Sequence, residues 1–156
     1  MDFVLECRKY AVVLILVRCS PRSQAKLREL ESLSLPGHRC KITSLGHGLS
    51  GMISLTSLDL SRNSITSLRG LKSLGQLAHL NLYYNAVAEL GAVEHLRHNL
   101  ELRSLDLRLN PCTRSSPDYR ARVIHALPWL QRLGTMLAVT TLPLLWPVVS
   151  ILCGKH

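Results

Sequence analysis

The sequence predicts an α/β solenoid. Short coils stack side by side, a parallel β-sheet lines the concave face, brief helical or 3₁₀ returns run behind it, and a helical cap closes the C-terminal end. Three observations carry this expectation. The apolar pattern that begins at Leu55 starts again at Leu77 and a third time at Leu102. Apolar residues make up 47% of the chain but aromatics only 4%, and leucine supplies about a fifth of it. Such a core is filled by one small unit used repeatedly, not by an irregular set of large side chains. After the third copy, a proline-bounded stretch has the spacing of a closing helix. At 156 residues the chain has room for one such domain with appendages.

Residues 1–29 read as an irregular leading segment. Tyr10 to Val17 is an apolar run between Arg8-Lys9 and Arg18. Its length suits the apolar part of a signal peptide, although Asp2 and Glu6 dilute the basic charge ahead of it and no small-x-small site follows. The other reading is a strand or short helix that closes the N-terminal end of the core. Eight apolar residues are too few to span a bilayer as a helix. Residues 20–29 are polar and enter a helix or turn.

Residues 30–134 carry the repeat. One copy reads Leu55-x-x-Leu58-x-Leu60-x-x-Asn63-x-Ile65-x-x-Leu68, and the next Leu77-x-x-Leu80-x-Leu82-x-x-Asn85-x-Val87-x-x-Leu90. The third reads Leu102-x-x-Leu105-x-Leu107-x-x-Asn110, and a degraded copy, Leu30-x-x-Leu33-x-Leu35 with His38 in the Asn place, precedes them all. This is the leucine-rich-repeat pattern. The alternating leucines are the inward residues of a short strand. Asn63, Asn85 and Asn110 sit where the chain leaves the strand, and their amides can bond the backbone of neighbouring coils as an internal ladder. Their expected role is structural. The last copy is followed by a polar link, Cys112 to Ser116, and a helix opening at Pro117 and ending near Ala126. Val123, Leu127, Leu130 and Leu133 then share one side at helical spacing and cover the final coil.

These residues also carry a resemblance. Ser57 to Leu68, Leu80 to Asn85 with its Tyr83-Tyr84 pair, Leu105 to Pro111, and Pro117-Asp-Tyr-Arg120 are similar to the N-terminal repeat domain of the family of the centrosomal protein of 72 kDa, which includes a close leucine-rich-repeat paralogue. The similarity runs over residues 30–133. It implies a cytoplasmic, centrosome-associated scaffold at the microtubule-organising centre that helps recruit γ-tubulin complexes and supports spindle organisation. The family continues past the cap with acidic residues and a long coiled-coil-bearing region; here Gly134-Thr135 follows, and the remainder is unrelated.

Residues 135–156 form an apolar tail. Met136 to Cys153 holds no charge over 18 residues. The length is that of a short transmembrane helix, which gives an alternative reading as a tail-anchored membrane adaptor. Pro143 and Pro147 argue against a regular helix. The competing readings are an extension packed on the cap and a tail from an alternative or mispredicted transcript end.

The net charge of 19 − 10 = +9 raises the further alternative of an RNA-associated repeat protein. Within residues 30–134 the balance is 12 − 7 = +5, and the cations are scattered without basic runs or interleaved aromatics. That pattern reads as a solvated surface and argues against nucleic acid. Cys7, Cys19, Cys40, Cys112 and Cys153 are odd in number, far apart and without a CxxC, which reads as reduced thiols in a cytosolic protein. No catalytic, cofactor or metal residues are expected. His95-Leu-Arg-His98 lacks the HExxH frame, Gly46-His-Gly48 completes no phosphate loop, and no G-x-S-x-G occurs.

Function is expected on the outward residues of the strands, as the contact surface for a protein partner. These are Ser57, Asp59 and Ser61 on one coil, His79, Asn81 and Tyr83 on the next, and Ser104, Asp106 and Arg108 on the third. Exposed Tyr and Arg are frequent binding anchors. Tyr83 with Arg108, flanked by Tyr84 and Asp106, is the expected centre of the concave contact face.

Overall fold

The computed structural model describes residues 21–38 and 41–138. Helix α1 (Pro21–Arg28) leads into β1 (Ser32–Ser34). The following coils place β2 at Ser57–Asp59, β3 at His79–Asn81 and β4 at Ser104–Asp106. The returns are 3₁₀ segments at Arg69–Leu71 and Leu90–His98. After β4 come α2 (Pro111–Ser115), α3 (Tyr119–Ala126), β5 (Arg132–Leu133) and β6 (Met136–Leu137). The six strands form one sheet in chain order, parallel from β1 to β5, with β6 antiparallel at the end. The chain is a short leucine-rich-repeat solenoid.

The register follows the repeat. Leu33, Leu58, Leu80, Leu105 and Leu133 stand opposite one another across five strands. From the second coil onward the repeat leucines are almost fully buried, with Leu55, Leu60, Leu77, Leu82 and Leu102 at 0% exposure. Each coil alone would leave one flank of this row in water, so the neighbouring coil supplies the missing surface. The strands are only three residues long, and pairing continues beyond them. Leu60 N–H donates to the Asn81 carbonyl and Leu82 N–H to the Asp106 carbonyl, at 2.9 and 2.8 Å.

The asparagines stitch the coils where the strands end. Asn85 Nδ2 donates to the Leu60 carbonyl of the preceding coil and to the Leu82 carbonyl of its own, while its Oδ1 accepts from Ile65 N–H at 3.0 Å. Asn63 makes the same set with Leu35, Leu60 and Ile42, and Asn110 with Leu82, Leu107 and Val87. At the His38 end the approach is instead achieved by Gly37. A Cβ there would lie 2.2 Å from the Arg62 carbonyl oxygen, so only glycine lets the backbone come this close.

The C-terminal end departs from the sequence reading in three ways. Residues 112–116, expected as a polar link, lie mostly within α2. Pro111 occupies the first helical turn, where its missing N–H is no loss, and Cys112 is buried. Leu130 and Leu133, expected on the helical face of the cap, are the L-x-x-L of a further coil, and Arg132–Leu133 extends the parallel sheet. Val123 and Leu127 do cover the last full coil, both at 0% exposure. The domain boundary expected at Gly134 falls inside a hairpin. Gly134 (φ +66°) and Thr135 form a two-residue turn, and Met136–Leu137 fold back on β5. The first two residues of the apolar tail are therefore an edge strand. Arg120 of α3 donates to the Leu133 and Leu137 carbonyls and ties the cap helix to this hairpin. The tail beyond Ala138, the run Tyr10–Val17 and the other cysteines fall outside the described residues, among which no helix is long and apolar enough to cross a membrane.

Candidate functional site on the concave face

The sheet register sets Asp59, Asn81 and Asp106 side by side on three consecutive strands. Strand alternation turns them away from the leucine core. All three make the same local bond. Asp59 Oδ1 accepts from Ser61 N–H, Asn81 Oδ1 from Tyr83 N–H and Asp106 Oδ1 from Arg108 N–H, at 2.9, 3.0 and 3.0 Å. A short acceptor bonding the backbone two residues on is the Asx geometry that ends extended chain. These residues thus form a second ladder, on the surface, parallel to the buried asparagine ladder. The sequence reading took them only as outward residues of the partner-contact face. The recurring Asp/Asn four residues before each ladder asparagine was the signal for the additional role.

Tyr83 and Arg108 meet on this frame. The Arg108 guanidinium carbon lies 5.3 Å from the centre of the Tyr83 ring. The same guanidinium grips the Asp106 carboxylate, with Nε 3.0 and 3.1 Å from its two oxygens and a terminal nitrogen at 2.6 Å. The Asp106 hydrogen bond and charge raise the Arg108 pKa further above its already high ordinary value, so the site carries a fixed cation at any working pH. Asp106 orients the arginine plane and the ring lies against it. The pair is held in place before any partner arrives, which lowers the ordering cost of binding. Gly134 backs the arginine stem; a Cβ there would sit 3.2 Å from Arg108 Cδ.

His79 opens β3, exposed, opposite Ser57 and Ser104. Tyr84 does not join the concave face. Its backbone is left-handed (φ +55°), and its ring, 51% exposed, leaves the sheet to lie under Lys41 on the rim, 6.0 Å from Nζ. It stays near Tyr83, with ring centres 6.5 Å apart, but it faces a different surface. Asp59 and Asp106 are separated by the strand that bears Asn81, so they form no paired-carboxylate site. Among the described residues no group of His, Cys, Asp or Glu is placed to hold a metal ion.

One buried polar residue was not anticipated. Asn99, fully buried behind the sheet, donates from Nδ2 to the Leu71 and Leu74 carbonyls at 3.0 and 2.7 Å, and its main-chain carbonyl accepts from Trp129 Nε1 at 3.1 Å. It fills the longer return of the coil that begins at Leu77 and fastens the cap to it.

No family model matches the chain. Among curated proteins it is 50% identical over 108 residues to the centrosomal protein of 72 kDa of Mus musculus, a match spanning 69% of this chain and 17% of that protein. It is 47% identical over 105 residues to leucine-rich repeat-containing protein 36 of Homo sapiens, spanning 67% of this chain and 14% of that one. The chain thus matches less than a fifth of the length of either relative. Among solved structures it is similar to the leucine-rich-repeat protein LIC12759 of Leptospira interrogans, with TM-score 0.58, 27% identity, and 73% and 28% of the two chains covered. It also matches a chain of the Drosophila melanogaster SNF/U2A' complex, with TM-score 0.64 at 24% identity, covering 74% and 66%; that likeness speaks for the fold alone. The chain is thus a leucine-rich-repeat protein, similar over its repeats to a centrosomal one.

Proposed function

We propose that the chain is a non-catalytic protein-interaction scaffold whose concave sheet captures a partner at the centrosome. In this reading it supports the recruitment of γ-tubulin complexes and spindle organisation. The observation that carries the binding site is the Tyr83–Arg108–Asp106 cluster, an aromatic and a cation fixed against each other on a rigid sheet. Rigid aromatic and arginine anchors are the residue types that dominate protein interfaces. The centrosomal part rests on the similarity to the 72 kDa protein over the repeat region.

The test is imaging of the tagged full chain against a centrosome marker, beside Tyr83→Ala plus Arg108→Ala. Arg108 is exposed and Tyr83 half-buried on the concave face, outside the leucine core, so the double variant is expected to stay folded, which a thermal melt checks. The expected result is centrosomal signal for the parent and its loss in the variant. Undiminished recruitment of a folded variant removes the concave site from the reading. Absence of the parent from centrosomes removes the location. A third copy ending at Ala138 keeps the hairpin and drops the apolar run. Recruitment of this copy equal to the parent's assigns targeting to the repeats, whereas an alkali-resistant membrane pellet formed only by the longer chain favours the tail-anchor reading.

A further inference from the structure

The rim, where each coil leaves the sheet, holds a feature that the concave site does not use. Arg62, Tyr84 and Leu109 occupy the same place in three consecutive coils, one residue before Asn63, Asn85 and Asn110. All three are left-handed, with φ of 58°, 55° and 58°. That backbone disfavours ordinary side chains and suits Gly, Asn or Asp. Continued strand alternation would send these side chains toward the core. The left-handed turn sends them out instead, leaving Tyr84 51% and Leu109 41% exposed.

Tyr84 and Leu109 lie together in a groove of about 630 Å³, which Ala86, Pro111, Lys41 and Arg114 also line. Lys41 comes from the first coil and Arg114 from α2 after the fourth, so the two cations flank the apolar pair in coil order. The Lys41 side chain reaches across to Tyr84, its Nζ 6.0 Å from the ring centre, and Arg114 lies on the α2 helix that follows Leu109, so the charged and apolar groups fall within reach of a few extended residues at ~3.3 Å each. No acidic side chain is among the lining residues.

We infer that this rim groove docks an extended acidic segment of a partner protein. An apolar side chain of the segment sits between Tyr84 and Leu109, and its carboxylates face Lys41 and Arg114. The charge and the recess together select this occupant. An anionic bilayer offers a flat surface that reaches the cations without filling the recess between them. The groove includes none of Tyr83, Asp106 or Arg108, so it stands or falls apart from the concave site.

The test uses the full chain and fluorescence anisotropy of a labelled peptide, a Leu-Phe pair between two runs of four glutamates. Binding is expected to weaken by about tenfold or more, ~1.4 kcal/mol for each factor of ten, in Lys41→Glu plus Arg114→Glu. The same loss is expected in Tyr84→Asn plus Leu109→Asn, where asparagine accepts the left-handed backbone and so preserves the fold. Tyr83→Ala plus Arg108→Ala should leave the peptide affinity unchanged. The inference is overturned by no binding at millimolar peptide, by affinity indifferent to the rim variants, or by equal binding of a glutamate peptide without the apolar pair. Tighter, rim-dependent binding to phosphatidylserine vesicles would overturn it in favour of a lipid surface.

Discussion

The two ends of the solenoid solve the same problem differently. At the C-terminal end the last coil is covered by α3, by the Leu130–Leu133 coil and by the β5–β6 hairpin, and its leucines are as buried as those in the middle. At the N-terminal end Leu30, Leu33, Leu35 and Ile42 remain only partly buried beside α1. The first coil carries the leucines but lacks the ladder asparagine, having His38 in its place. The difference teaches that the repeat motif does not by itself bury its leucines. Burial comes from having a neighbour on each side; among the described residues the first coil has a full coil on one side only, and it packs less tightly although its leucines keep the pattern.

Substitutions that probe this contrast should fall in a definite order. The largest effect is expected for Leu82→Ala in the middle, about 3–5 kcal/mol by urea unfolding, because a fully buried leucine leaves a cavity between two fixed coils. Leu33→Ala in the first coil should cost only about 1 kcal/mol, since water already reaches that side chain. Equal losses at the two sites would erase the distinction between the ends.

Asn85→Ala comes next, at about 2 kcal/mol, for it leaves Ile65 N–H without an acceptor away from water, while the Leu60 and Leu82 carbonyls each keep one donor, from Asn63 and Asn110. The reverse change at the weak end, His38→Asn, should shift stability by less than about 0.5 kcal/mol, because position 38 is exposed and an amide there forms no buried bonds. A gain comparable to the Asn85 loss would show that the missing asparagine alone loosens the first coil. Gly37→Ala is expected to cost about 2 kcal/mol through its clash with the Arg62 carbonyl, whereas Gly75→Ala, with open space around it, should be near neutral. Thermal melts of the two variants compare them directly.

The smallest effect concerns Cys112 in the well-packed end. Burial pushes its thiol pKa up. With the folded pKa above the unfolded one, the unfolded chain ionises first as pH rises. The associated stability is therefore complete below the ordinary thiol pKa, about 8.5, and is lost progressively above it. Cys112→Ala should flatten that alkaline decline. The native thiol should also react with a disulfide reagent far more slowly than after unfolding.

Much of this architecture was legible before any coordinates. The strand leucines, the buried ladder of Asn63, Asn85 and Asn110, and α3 all follow from residues recurring in one register, since each coil repeats the same local demands. The concave row of Asp59, Asn81 and Asp106 could be placed for the same reason. Other features were hidden because they lack a period. Leu130-x-x-Leu133 has neither the third leucine nor the asparagine of a coil, so it resembled a helix face. Asn99 occurs once, in an insertion, and its partners Leu71 and Leu74 are 28 and 25 residues away.

The sequence by itself determined the repeat, its register and the side chains at the centre of the core, because a strict spacing admits one stacking that turns the repeat leucines inward. The tertiary structure decided the rest. It closed the end with a hairpin at Gly134, turned Tyr84 off the sheet through a left-handed backbone, and brought Arg108 of one coil onto Tyr83 of its neighbour. Each of these depends on what the adjacent coil places opposite, and no single stretch of chain contains that information.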